Sequence, residues 1–516
     1  MPFDLPEQLN IADEFITRPA SSHPDRLAVA GIGRHATYAE IAAEVDRVAA
    51  ALAGSGCQPG DRVLIVLPDS IEYIASFFGA AKIGAVAVPV NSMARAADFR
   101  HYVMNSGARF AIAHTHSAAE FAQAIEGAEL AQLVVVGSNS FPGGRSFVPW
   151  DEWRPKDPRT ARSHPTRAKD PAFFLYTSGS GGTPKAAIHR HQDMVFTSRS
   201  FAQEVLGLGA QDRTFSVSKL FFAYGLGNAM YFPFSVGANT VLNPERTRVD
   251  RVVEIVGQYE PTVFFSVPTF YAALLREATD AAVRSFGPVR LAVSAGEALP
   301  AEIFQRFRER FGIEILDGIG STEMLHMFLS CRPGRARPGT CGQPVPGCEA
   351  RILDDAGNPV PEGEIGNLWV SGGSAFDGYW NLPELTARTK KGEWVLTGDK
   401  FYRDADGFYH YCGRSDDMMK VSGMWVSPGE VENALLGHPS VAEVAVVARH
   451  DSVGLAQSTA FIVVQAGMEG NPVLADEIRE WVRERLVHYK CPRVIEFVAE
   501  LPKTATGKIQ RFRLRQ

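Results

Sequence analysis

YTSGSGGTPK, residues 176–185, follows the apolar run at 172–175 and reads as a loop leaving a strand. Gly179, Gly181 and Gly182 let a ligand approach the backbone closely. Thr177, Ser178, Ser180 and Thr183 offer hydroxyl donors, and Lys185 adds a cation. Such a set suits a polyphosphate. It is not a Walker loop, because Pro184 stands where that motif has the glycine before lysine, and Ala186 where it has the magnesium-binding Ser or Thr. A flexible Ser/Gly linker has a similar composition, so the rest of the chain has to choose between the two readings.

Outward from the loop, helical and extended patterns alternate. Ile41, Val45, Val48, Ala49 and Leu52 share one helical face, and the Pro59, Gly60, Asp61 turn opens a strand at 63–67. A second helix at 70–83 runs into AVAVPV at 85–90, which is the strand, helix, strand order of a parallel sheet. The alternation recurs at 240–244, 262–268 and 290–300, so the fold class is α/β with one large body, residues 1–415. PGGRSFVP at 142–149 and PKDPRTARSHPTRAKDP at 155–171 read as surface loops. After about residue 416 the pattern becomes helix (428–436), strand (441–448), strand (459–464), helix (474–486), strand (494–498): a compact α+β unit, 416–516.

Composition limits the function. At 516 residues the chain exceeds the roughly 100–200 typical of one domain. Lys plus Arg number 52 against 58 Asp plus Glu, a net charge of −6, so there is no cationic excess to hold a nucleic-acid backbone. No apolar run reaches the roughly 18 residues of a membrane span, and the start, MPFDLPEQLNIADEF, lacks the basic flank and apolar core of a secretory signal. The six cysteines are scattered without paired zinc spacing, as free thiols of a cytoplasmic protein would be.

The 176–185 loop closely resembles the phosphate loop of the adenylate-forming superfamily, which includes acyl-CoA and aryl-CoA ligases, luciferases and peptide-synthetase adenylation domains. Further signatures follow in that family's order: GIGSTE at 318–323, TGD at 397–399, GRSDD at 413–417 and PKTATGK at 502–508. The resemblance implies a large N-terminal domain of α/β subdomains with mixed sheets and a small mobile C-terminal domain. It assigns Gly296, Glu297, Asp317, Gly318, Ile319, Asp399 and Arg414 to the nucleotide, Thr322 to phosphate, and Glu323 to magnesium. Asp416 becomes the hinge, Lys508 the mobile catalytic lysine, and Lys420, Ser422 and Gly423 the coenzyme A channel. KLFFAYGLGN at 219–228 and STEMLHMF at 321–328 resemble the aryl-pocket stretches of benzoate-CoA ligases, making Ala223, Tyr224, Gly225, Leu325, His326 and Met327 the acid pocket.

Each residue also has a plain structural reading. Asp399 is a turn residue, Arg414 a surface partner of Asp416 or Asp417, Glu323 a helix cap, Gly423 a strand turn, Lys508 part of a basic tail, and His326 a satisfied interior histidine. The joint order of five signatures outweighs these readings. There are departures from the pattern. Ser180-Gly181-Gly182 replaces Ser-Thr-Gly, Ala186 replaces a usual glycine, and Phe222 stands where many relatives carry a gating histidine. The expected activity is ATP- and Mg2+-dependent activation of an aryl carboxylic acid as acyl-AMP, followed by transfer to coenzyme A. The alternatives are loading of a carrier protein, or another cyclic acid as substrate. The resemblance also makes Lys508 a target for a lysine acetyltransferase, and a homodimer stays open.

Overall fold

The computed structural model describes residues 3–32, 34–157, 161–178, 183–415, 418–421, 424–450, 456–503 and 509–515. Two large sheets form the body, and both are mixed. The first carries parallel strands Ile315–Gly320, Leu291–Ser294, Val263–Ser266, Arg213–Ser216, Asn239–Leu242 and Leu27–Gly31, in that spatial order, with antiparallel strands at each edge. In the second, Pro171–Ser178, Val86–Pro89, Arg62–Val66, Phe110–His114 and Gln132–Val136 run parallel. Val263, Phe264, Phe265 and Ser266 are all buried, as expected for strands covered on both faces.

The sequence patterns place these elements well. The helix Tyr38–Gly54 starts with a Thr37–Glu40 capping box, and the helix Ile71–Lys82 is capped by the Ser70 hydroxyl. The two helices meet at Gly79, where a Cβ would lie 2.7 Å from Val48 Cγ1, so only glycine permits this approach. Lys82 reaches across the same contact to Asp46 in a buried ion pair.

Two expectations are corrected. The described flanks of the phosphate-loop stretch are paired strand and not loop: Thr177 pairs with Lys185 and Ser178 with Pro184 in antiparallel register. Residues 176–178 and 184–185 therefore belong to strands, and Pro184 is tolerated because it begins its strand. The 142–149 stretch is not only loop either, since Val148–Pro149 pairs at the sheet edge; the next residues, Trp150–Trp153, form a helical turn with Trp150 buried beneath Arg154. A third sheet, Cys348–Leu353, Gly366–Gly372, Trp394–Arg403 and Tyr409–Arg414, is antiparallel. Beyond it the hairpin Met419–Val421/Met424–Val426 leads into helix Pro428–Leu436 and a sheet of Val441–His450, Ala456–Val464 and Val494–Phe497. Helix Pro472–Arg483 buries Leu474, Ile478 and Val482 in the core of this smaller unit.

Candidate active site

The candidate site lies at the carboxyl ends of the first sheet's parallel strands, where open α/β sheets leave a crevice for ligands. Ser266 and Ser294 are register partners, as are Ser294 and Asp317, giving a row of buried polar side chains in a sheet otherwise apolar. Burial pushes the Asp317 carboxyl up to about 8, against the pull of the Ser294 hydroxyl and the Leu299 and Gly318 amides.

The strand Ile315–Gly320 continues through a tight turn, Thr322–Met324, into the antiparallel strand Met327–Ser330. Crowding dictates the residues of this hairpin. A Cβ at Gly318 would lie 2.5 Å from the Leu329 carbonyl, and one at Gly320 2.5 Å from that of His326. Leu325 takes φ +66°, an uncommon conformation for a side chain, held there by full burial. The Ser321 hydroxyl does accept from the Met324 amide, so the capping reading applies to Ser321, while the Glu323 carboxylate accepts from the Tyr379 hydroxyl at 2.6 Å. His189 Nε2 contacts the Thr322 carbonyl at 2.8 Å, and its Nδ1 contacts Asp193 at 3.0 Å. The return strand of the phosphate hairpin is thereby fastened to the turn bearing Thr322 and Glu323.

One residue past Leu325 begins an aromatic cluster. The His326 ring lies 4.5 Å from Phe232, 5.2 Å from Phe201 and 5.5 Å from Tyr224, centroid to centroid. Burial pushes His326 down to about 3, so the ring is neutral. Its Nε2 meets Asn228 Oδ1 at 3.1 Å. The Tyr224 hydroxyl reaches the carbonyls of Ser266 (3.3 Å) and Val293 (3.2 Å), tying the cluster to the strand ends. The helical turn Ala223–Leu226 runs into a π-helical turn, Gly227–Tyr231, a geometry frequent at functional sites.

The stretch before this helix is clamped both by the segment that leaves strand Arg62–Val66 of the second sheet and by the segment after strand Asn239–Leu242 of the first. Asp69 accepts from the Leu220 amide at 2.9 Å, the Tyr73 hydroxyl donates to the Leu220 carbonyl at 2.8 Å, and Lys219 Nζ donates to the Asn243 and Glu245 carbonyls. Gly225 then packs so tightly that a Cβ would sit 2.1 Å from the Lys219 carbonyl.

Asp399 is not a turn residue. It is buried within strand Trp394–Arg403, in register with Arg414, whose Nη1 lies 3.1 Å from its Oδ1. Gly296 (φ +91°) and Glu297 follow the strand Leu291–Ser294 in a bend at its carboxyl end, Gly296 exposed and Glu297 half-buried. Met327 is buried in the strand beside His326, and Ile319 and Ala223 are half-buried. Thr183 is exposed and Lys185 half-buried, its Nζ 5.2 Å from the Tyr379 ring centroid. Gly179, Ser180, Gly181, Gly182, Asp416, Ser422, Gly423 and Lys508 lie outside the described residues, as do the side chains of Ser178 and Lys420.

Tyr379, Asn228, His189, Phe201 and Phe232 were not among the residues expected from sequence. Asn228 closes the quoted 219–228 stretch, but the others sit in segments whose composition is ordinary core. Among the described residues no cluster of three or more His, Cys, Asp or Glu is placed to hold a metal. A single carboxylate, Glu323, fits a magnesium ion whose other ligands are phosphate and water oxygens. No helix among the described residues is long and apolar enough to cross a membrane, and all six cysteines are free thiols.

Residues 16–380 match the AMP-binding enzyme family and 430–508 the AMP-binding enzyme C-terminal domain; the chain belongs to this family. It is 42% identical to benzoate–CoA ligase of Thauera aromatica, over 99% of this chain and 96% of that one. A crystal structure of a benzoate CoA ligase from Burkholderia xenovorans superposes with a TM-score of 0.92 at 41% identity, covering 98% of this chain and 100% of that one. An anthranilate CoA ligase in complex with anthranoyl-AMP superposes with a TM-score of 0.95 at 39% identity, covering 100% of this chain and 98% of that one.

Proposed function

We infer that this chain is an ATP-dependent aryl-CoA ligase acting on benzoate or a substituted benzoate. The observation that carries the reading is the continuity of residues 318–327, in which Thr322 and Glu323 stand on the same turn that delivers His326 to an aromatic cluster. A flat aryl acid lying against Tyr224 and His326 would present its carboxylate toward the turn that meets the nucleotide phosphates.

A carboxylate cannot expel oxide, so its oxygen attacks the α-phosphorus of ATP, the bond to the β-phosphate breaks, and pyrophosphate leaves. In the resulting acyl-AMP, AMP is a competent leaving group. A thiolate then attacks the carbonyl carbon and the bond to AMP breaks. Lys185 and Lys508 offset the charge that gathers on the phosphates in the first step, Thr322 donates to phosphate, and Asp399 with Arg414 holds the ribose side of the nucleotide. Glu323 would hold a magnesium ion, which when bound would supply further positive charge to the polyphosphate. Residues 416–516 turn as a unit about Asp416, withdrawing Lys508 after the first step and bringing Lys420, Ser422 and Gly423 to the thiol path.

The test is a panel of aryl, cyclic and short aliphatic acids with ATP, magnesium and coenzyme A, following AMP and acyl-CoA by mass, with Lys508→Ala in parallel. Aryl-CoA formation abolished in the variant supports the reading. Acyl-AMP without thioester would move the protein to carrier loading. The same reading places the enzyme in the cytoplasm, allows it to work as a homodimer, and exposes Lys508 to a lysine acetyltransferase. Light scattering and mass spectrometry of the native protein test the last two.

A further inference from the structure

Tyr379 belongs to none of the signature stretches, yet it touches two of their residues at once. Its hydroxyl donates to Glu323 Oε1 at 2.6 Å, and Lys185 Nζ lies over its ring, 5.2 Å from the centroid. A carboxylate offers only acceptors, so the phenol is the donor. Charge-assisted bonds of this kind are the short, strong ones.

The side chain is held on all sides. Strand Gly378–Tyr379 pairs with Ile188 and Ala187 of the phosphate hairpin. The Tyr379 amide donates to Thr386 Oγ1 at 2.8 Å, and Phe376 packs edge-on at 4.8 Å. Gly378 adopts φ +152°, and a Cβ there would lie 2.9 Å from Thr386 Cγ2, so the approach of this segment to its neighbour needs glycine. The same segment grips the backbone of the metal-bearing turn: the Phe376 amide donates to the Glu323 carbonyl at 2.7 Å and the Ser374 hydroxyl to the Met324 carbonyl at 2.9 Å. Backbone and carboxylate of the turn are thus fixed by one short stretch, 374–379, and its only contact with the carboxylate among the described residues is the Tyr379 hydroxyl.

We propose that Tyr379 is a positioning residue of the activation step, its hydroxyl holding the Glu323 carboxylate in the orientation that meets a phosphate-bound divalent cation while its ring seats Lys185 alongside. The inference rests on the reading of Glu323 as the cation's protein ligand. Without the hydroxyl, Glu323 regains rotational freedom that cation binding must then freeze, so the loss falls on the cation and not on the aryl acid.

The experiment compares Tyr379→Phe, Glu323→Gln and the parent enzyme. Mn2+ affinity in the presence of a non-hydrolysable ATP analogue is read by electron paramagnetic resonance, and the Mg2+ dependence of acyl-AMP formation is measured with a thermal melt of each protein. Tyr379→Phe is expected to weaken Mn2+ binding about tenfold and raise the half-saturating Mg2+ to a similar degree. The rate at saturating Mg2+ should recover and the KM for the aryl acid should hold. Unchanged Mn2+ affinity in Tyr379→Phe, while Glu323→Gln loses it, overturns the proposal and leaves Glu323's role intact. A defect that excess Mg2+ does not restore also overturns it. Unchanged Mn2+ affinity in Glu323→Gln would instead remove the reading on which the proposal stands.

Discussion

Asp317 gives a test in which the structure sets both sign and size. In the unfolded chain this carboxyl ionises near the ordinary 3.8, whereas burial at the strand end holds its proton up to about 8. Between those values the folded state binds one proton more than the unfolded state, so the unfolding free energy must fall as pH rises from about 4 to about 8. Each tenfold difference in proton affinity is worth about 1.4 kcal/mol, which sets a ceiling on the order of 6 kcal/mol. Asp317→Asn keeps the shape and removes the ionisation, so the variant escapes this loss. Thermal melts of both proteins at about pH 5, 6, 7 and 8 should nearly coincide at the acid end. They should separate by several degrees at the alkaline end, with the variant the more stable. Parallel profiles, or a gap that narrows as pH rises, would refute the argument that a desolvated carboxyl taxes this fold.

The remaining expectations use the same contacts. Gly227→Ala would put a Cβ 2.6 Å from His326 Cδ2 and 3.1 Å from Phe232 Cζ. It should cost about 1–3 kcal/mol of stability and raise the KM for the aryl acid while leaving that for ATP within twofold or so, as steady-state kinetics will show. Because burial keeps His326 neutral down to about 3, the pH profile of acid binding between about pH 5 and 8 should have the same shape in the parent and in His326→Gln, even where affinities differ. Lys82→Met strands the buried Asp46 carboxylate and should lower stability by about 3–5 kcal/mol. The double variant Asp46→Leu/Lys82→Met should recover most of that loss in the same melt.

Much of the architecture was legible in the linear pattern. The helices at 38–54 and 71–82 carry their caps and apolar faces in their own residues, and the helix Pro428–Leu436 and strand Val494–Phe497 fall within a residue of where periodicity puts them. Local signals suffice there because capping and amphipathicity are decided within a turn or two of chain. The 176–185 stretch was harder. Its composition marks a tight phosphate-type loop, but whether the flanking strands pair with each other depends on a register that glycine, serine and proline do not encode.

The sequence by itself determined the α/β class, the order of the signature stretches, and the residue types available for holding phosphate. Only the tertiary structure decided which of those residues meet. Tyr379 reaches Glu323 across 56 positions, His326 meets Asn228 across 98, and the Asp69 carboxylate holds the Leu220 amide across 151. None of these pairs has a local signature, because a buried hydrogen bond between distant segments is selected by the packing that brings them together and by the cost of leaving either partner unpaired.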